Sequence, residues 1–176
     1  MSASPGVARE DASARWVPAY VALGSNLDDP ARQVRRALEA LGTLPDTLVV
    51  ARSSLYRTAP MGPVPQPDFV NAVAGLLTRL DARSLLRRLK SLETQLGRAV
   101  PVQRWGPRLI DLDLLVHGTE RVAEEGITVP HPGVAERAFV LVPLAEISAG
   151  LVVPGMGRVS ALVQKMDTTG MERLDR

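Results

Sequence analysis

Between Arg98 and Asp113 the chain reads R-A-V-P-V-Q-R-W-G-P-R-L-I-D-L-D, three arginines and a tryptophan ahead of two aspartates spaced i, i+2. Arginine forks grip phosphate oxygens two bonds at a time, and paired carboxylates hold magnesium ions that bridge the same phosphates. The segment has the charge arrangement of a magnesium–triphosphate site. Ile110, Leu112 and Leu114 alternate with Asp111 and Asp113, so an extended strand turns the apolar set to one side and both carboxylates to the other. The two carboxylates then stand roughly 7 Å apart at Cα, within reach of one or two cations about 4 Å apart. A bare D-x-D is more often a solvated strand face; the arginines ahead of it shift the reading to chemistry.

Such a strand needs a scaffold, and the rest of the chain supplies a regular one. Ala19 to Leu23 is a short apolar strand closed by the turn signal Gly24-Ser25-Asn26. Asp28 or Asp29 caps a helix with Pro30 at its first position, Val34, Leu38 and Leu41 on one face, and Gly42 at its end. Thr47 to Tyr56 and Phe69 to Leu80 read as strands, joined by a surface loop holding Pro60, Pro63, Pro65 and Pro67. A second helix starts at Asp81 or Ser84, carries Leu85, Leu89, Leu92 and Leu96 on one face, and stops at Gly97. With the aspartate strand the order is β-α-β-β-α-β, an α+β fold with a ferredoxin-like core in which helices cover an antiparallel sheet. Further on, Gly118-Thr119 suggests a hairpin, Ile127 to Val129 a short strand, Pro130-His131-Pro132-Gly133 a rigid turn, and Val159 to Met166 a short helix. Phe139 to Ile147 is apolar with Pro143 inside it and fits a broken helix or a buried strand equally.

Composition narrows the classes. The chain has 176 residues, 45% of them hydrophobic, enough for one domain spanning 19–176, with residues 1–18 expected to form a disordered leader. Of the 21 basic residues all but Lys90 and Lys165 are arginine, yet the net charge is only +2, and a GC-rich genome gives the same excess, so charge names no partner. The absence of cysteine excludes disulfides and thiolate chemistry, and two separated histidines propose no zinc site, so a metal here is oxygen-ligated. No apolar run approaches the roughly 18 residues of a membrane span. A cytoplasmic monomer that binds neither membrane nor nucleic acid is expected.

Several short motifs occur together: Gly24-Ser25-Asn26, Tyr56-Arg57-Thr58, Gly62-Pro63, Gln66-Pro67-Asp68-Phe69-Val70-Asn71, Arg104-Trp105-Gly106-Pro107-Arg108, Asp111-Leu112-Asp113, Pro130-His131-Pro132 and Arg137-Ala138-Phe139-Val140-Leu141. In this order and spacing the chain, from about Tyr20 to Ile147, resembles the 6-hydroxymethyl-7,8-dihydropterin pyrophosphokinase family of folate biosynthesis. The resemblance implies transfer of pyrophosphate from ATP to the pterin hydroxymethyl group, releasing AMP, with two magnesium ions held by Asp111 and Asp113. It further implies that Arg98 and Arg108 assist transfer and that Lys90, Glu93, Arg104, Trp105, Arg108, Thr128, His131 and Arg137 bind ATP. On the pterin side it implies stacking by Phe69 and Phe139, reading of the amide-like edge by Asn71 and the Thr58 backbone, and further contacts from Ala59, Met61 and Trp105. Taken singly, Arg98 fits a helix cap, His131 a residue packed between prolines, and the two phenylalanines a core. The pattern departs from the family at Val100 and Pro101, where a basic residue is frequent, at Ala59, a frequent proline, and at Gly126, where a basic residue can reach ATP.

Two rival readings have their own signatures. A kinase transferring only the terminal phosphate suits the same charges, although no G-x-x-x-x-G-K-[ST] is present for a P-loop enzyme. An RNA-binding ferredoxin-like module would expose aromatics on its central strand, whereas Asp111 and Asp113 would repel phosphates that have no bridging cation.

Overall fold

The computed structural model describes residues 15–99 and 106–174. Strand β1 (Val17–Ser25) buries Ala19, Val21 and Leu23 on one face and turns Tyr20 and Ala22 to the other. It starts two residues before the expected body, and Trp16 stacks under the Arg79 guanidinium, 4.6 Å from the ring centroid. Helix α1 (Pro30–Leu41) begins as its sequence dictates: Asp29 accepts a hydrogen bond from the Arg32 amide, Pro30 fills the first turn, and Val34, Ala37, Leu38 and Leu41 are buried.

The expected strand Thr47 to Tyr56 is two strands, β2 (Thr47–Arg52) and β3 (Leu55–Thr58). The break at Ser53-Ser54 has a polar cause. The Ser54 amide leaves the sheet and donates to both Glu146 carboxylate oxygens at 3.0 Å, while Ser53 Oγ accepts from the Val73 amide. Strand β4 (Phe69–Thr78) pairs β3 through Phe69–Asn71 and β2 through Ala74–Thr78, so the two short strands share the place of one.

Helix α2 (Ala82–Gln95) is capped by Asp81, which accepts from the Ser84 amide at 2.8 Å, and buries Leu85, Leu89 and Leu92. Its end is a Schellman motif: Gly97 at φ 98° donates to the Thr94 carbonyl and Arg98 to the Glu93 carbonyl. Arg98 is thereby folded back over the last turn of its own helix. Strand β5 (Asp111–His117) then pairs antiparallel with β1. Across the main sheet the order is β5-β1-β4-β3, with β2 also pairing β4 in line with β3 and a late strand, Glu172–Leu174, added outside β3. This is the ferredoxin-like α+β arrangement expected from the sequence.

After β5 the chain turns at Gly118, but the following strands β6 (Val122–Glu124) and β7 (Ile127–Val129) pair with each other rather than returning along β5. The apolar stretch with Pro143 is helix α3 (Ala138–Ser148), preceded by a 3-10 turn at Val134–Glu136. Helix α3 covers the second sheet face, where Val140, Leu141 and Leu144 pack with Val73, Leu115 and Val116. A small hairpin of β8 (Val152–Val153) and β9 (Gly157–Arg158) leads into α4 (Val159–Val163), shorter than expected, and β10 (Glu172–Leu174) pairs β3, a pairing that no local pattern announced. The sheet is thus sandwiched between α1 and α2 on one side and α3 and α4 on the other.

Candidate active site

Strand register builds the site. Gly24 of β1 pairs with Asn71 of β4 on one side and Asp111 of β5 on the other, and Ala22 pairs likewise with Val73 and Asp113. Directly paired residues point to the same face, so the Asn71 amide and the Asp111 carboxylate stand two strands, roughly 10 Å, apart on the α3 side. Between them Gly24 offers no side chain: a Cβ there would lie 3.1 Å from Asn71 Oδ1 and 4.0 Å from the Phe69 ring. The result is a trough whose floor is backbone.

The trough opens into a cavity of about 340 Å³. On its β4 side it is lined by Thr58, Ala59, Met61, Phe69 and Asn71, and across the opening by Phe139 from the first turn of α3. Asn71 Nδ2 donates to Thr58 Oγ1 at 2.8 Å, and the amide oxygen faces Gly24. At the other end stand Arg108, Asp111, Asp113, His131 and Arg137. A second hollow of about 350 Å³ shares Asp113 and His131 with the first and continues to Leu86, Gly126, Ile127 and Thr128. Gly126, at φ 78° in the β6–β7 turn, occupies a left-handed position that a side chain would strain.

The carboxylates sit in a dense charge cluster. Asp111 Oδ1 accepts from Arg98 Nη1 at 2.8 Å and Oδ2 from Arg108 Nη1 at 2.6 Å, while Lys90 Nζ lies 3.5 Å from Asp113 and 3.9 Å from Asp111. Burial alone would raise Asp111, but Arg108, Lys90 and Arg98 outweigh it and hold the carboxyl below the ordinary aspartate range. Glu93, which the resemblance places at ATP, is held inside the charge cluster. Its side chain, 4% exposed, faces no ligand space; it takes hydrogen bonds from Arg98, from Lys90 at 2.8 Å and from the Leu112 amide at 2.6 Å. Burial pushes this carboxyl up despite those donors.

The reason for that arrangement lies in the sheet. Among the described residues β5 pairs only with β1, which leaves the outward amide and carbonyl of Leu112 without a strand partner. Glu93 takes the amide and Lys90 Nζ the carbonyl, at 2.9 Å, so one turn of α2 closes the strand edge. The same two side chains, with Arg98 from the Schellman turn, then hold the acids in register. Three acids, Glu93, Asp111 and Asp113, meet three bases, Lys90, Arg98 and Arg108, and the cluster balances without a ligand.

His131 does more than pack between prolines. Its Nδ1 accepts from the Gly133 amide at 3.0 Å, which puts the ring proton of the neutral form on Nε2. Burial, assisted by the charge of Arg137, lowers its pKa against the pull of Asp113 and Asp111, so the ring is a neutral donor at neutral pH. The Arg137 guanidinium lies 5.9 Å from the Phe139 ring centroid. Arg104, expected at ATP, Trp105, expected at ATP and the pterin, and Val100 and Pro101 lie outside the described residues.

Residues 20–149 match the model of a protein family described as 7,8-dihydro-6-hydroxymethylpterin-pyrophosphokinase. The chain belongs to that family. It is 43% identical over 159 residues to the 2-amino-4-hydroxy-6-hydroxymethyldihydropteridine pyrophosphokinase of Haemophilus influenzae, covering 90% of this chain and 99% of that one. With the enzyme of the same name from Methylorubrum extorquens it shares 46% over 157 residues, 89% of this chain and 98% of the other. The Pseudomonas aeruginosa enzyme of that name is 44% identical over 155 residues, 88% and 95% of the two chains. A crystal structure of Plasmodium falciparum HPPK-DHPS superposes with a TM-score of 0.72 over 90% of this chain and 45% of that one, at 14% identity, which supports the fold alone.

Gly24 at the trough and Asn26 beside it carried no role in the sequence reading. Gly24 and Asn26 were read as a turn, whereas Gly24 lies inside β1 at the trough and Asn26, 1% exposed, is bonded to the segments on both sides of it. A glycine ending an apolar strand run is a local signal of close backbone approach. The partners of Asn26 are 40 or more residues away, and nothing local announces them.

Proposed function

We propose that this protein transfers the pyrophosphoryl group of ATP to the hydroxymethyl oxygen of 6-hydroxymethyl-7,8-dihydropterin, giving the pterin diphosphate and AMP for folate biosynthesis. One observation carries the reading: a single trough joins an aromatic and amide end, Phe69, Phe139 and Asn71, to a carboxylate and guanidinium end, Asp111, Asp113, Arg108 and Arg137. The flat pterin lies between the two rings, each contributing on the order of 1 kcal/mol beyond area burial, with Asn71 on its amide-like edge. ATP enters from the second hollow, its base near Leu86, Ile127 and Thr128 and its phosphates at His131 and the arginines.

Asp111 and Asp113 suit magnesium as a pair. Among the described residues no three acids or histidines form a self-sufficient metal cage, which fits an ion completed by phosphate oxygens and water. Magnesium held by Asp111 and Asp113 would neutralise charge on the ATP phosphates. Arg98 and Arg108 then turn from Asp111 to the phosphates. The hydroxymethyl oxygen attacks the β-phosphorus in line and loses its proton to solvent, and the bond from that phosphorus to the α–β bridging oxygen breaks as AMP departs. Spread negative charge at the β-phosphate meets Arg98, Arg108, Arg137 and the His131 Nε2 proton.

Incubation with ATP, magnesium and the pterin, with identification of the nucleotide product, tests the proposal. AMP formed in step with pterin diphosphate is expected; ADP would mean single-phosphate transfer. Among the described residues no helix is long and apolar enough to cross a membrane. We place the enzyme in the cytoplasm as a monomer, which light scattering on the purified protein checks for oligomeric state.

A further inference from the structure

Arg108 and the proline-rich loop approach the trough from opposite sides, and both are held by one buried carboxamide. Asn26 Oδ1 accepts from the Arg108 amide at 2.8 Å, and the Asn26 amide donates to the Arg108 carbonyl at 3.0 Å. The main-chain N–H and the side-chain oxygen of Asn26 together extend the β1–β5 ladder past Gly24 and Asp111, setting the backbone from which Arg108 reaches the Asp111 carboxylate. From the other end of the same group, Nδ2 donates to Gln66 Oε1 at 2.9 Å and to the Pro67 carbonyl at 3.1 Å, just before Phe69. The amide cannot be reversed, because the Arg108 N–H demands an acceptor and the Pro67 carbonyl a donor. A carboxamide of this length both donates and accepts from one rigid plane; aspartate would lose the donor and leucine both functions.

We propose that Asn26 is the positioning residue that couples the two halves of the site: order imposed on the proline-rich loop by the pterin is passed through its amide to Arg108 at the phosphates, and the reverse. The proposal rests on the functional reading above. Coupling of this kind is reciprocal, and a factor of about ten between the ligands lies in its usual range.

Calorimetric titration tests it with α,β-methylene ATP and magnesium, in the presence and absence of 6-hydroxymethylpterin. In the unaltered protein the pterin is expected to tighten the nucleotide about tenfold. In Asn26→Ala each ligand alone binds within about threefold of the unaltered protein, while the coupling factor falls toward one. Gln66→Ala removes one of the two loop bonds to Asn26, leaving the Pro67 carbonyl, and serves if Asn26→Ala does not fold; it is expected to lower the factor about threefold, and Gln66→Glu, which retains an acceptor for Nδ2, to restore it. Undiminished coupling in Asn26→Ala or Gln66→Ala overturns the proposal. So does a coupling factor of one in the unaltered protein with both ligands bound, a result that leaves pyrophosphoryl transfer standing. Failure of the unaltered protein to bind pterin at all refutes the functional reading and the coupling with it.

Discussion

Replacing Glu93 by glutamine separates positioning from ligand contact. The carboxylate is almost fully buried and accepts from Arg98, Lys90 and the Leu112 amide. Glutamine retains one oxygen, enough for Leu112, and presents an NH₂ group to one of the two cations. A lost charge-assisted hydrogen bond costs about 1.5–3 kcal/mol, partly offset because a buried carboxylate no longer has to be desolvated. Arg98 keeps Asp111 at 2.8 Å, and Lys90, 44% exposed, can turn to water, so the net loss should be about 2 kcal/mol. For a chain of this size that lowers the melting temperature by about 4–8 °C. Turnover should suffer separately: once Asp111 is engaged with ligand, Glu93 is the partner left to aim Arg98. Misplacing one transition-state cation by about 2 kcal/mol reduces kcat roughly 30-fold. The pterin KM should hold, because Glu93 does not line the pterin end of the trough. Thermal unfolding and steady-state AMP release check both. A variant melting within about 1 °C of the unaltered protein and turning over within about threefold of it would refute the assignment of Glu93 as the anchor of Arg98.

Asp111→Asn and Asp113→Asn should each lower turnover by about a thousandfold or more with folding intact by circular dichroism, and near-normal rates in both would remove the metal assignment. Gly24→Ala puts a methyl 3.1 Å from Asn71 Oδ1, so the pterin KM should rise about tenfold with the ATP KM unchanged, as measured by varying each substrate in turn. Burial tends to raise the Glu146 carboxyl, but hydrogen bonds from Tyr56 and Ser54 outweigh it and leave it below the ordinary range. A lowered folded-state pKa gives stability that is present above the unfolded value, about 4.3, and is lost as pH falls through the folded one. Urea unfolding of Glu146→Gln should therefore show a deficit at pH 7 that shrinks on acidification below about pH 4; a deficit that is constant with pH would exclude an ionised Glu146 as its source.

What could be read along the chain was whatever depends on near neighbours. Asp29 with Pro30, and Asp81 with Ser84, mark helix starts because a cap needs only a side chain three residues from an amide. The facing of Asp111 and Asp113 follows from the twofold period of a strand, and the observed burial of Ile110, Leu112 and Leu114 agrees with it. Tertiary contact decided the remainder. Pro143 left helix and strand equally open, and packing on the second sheet face made α3 a helix. The Ser53-Ser54 break required Glu146, some ninety residues on, to take an amide out of the sheet. The resemblance put Glu93 among the ATP contacts, whereas its partners in the fold are set by the bare edge of β5, and which strand lies at an edge is a property of the assembled sheet. Asn26 is the strongest case: its four hydrogen bonds reach residues 40, 41 and 82 positions away, and no local pattern records a bond whose partners meet only when the chain has folded.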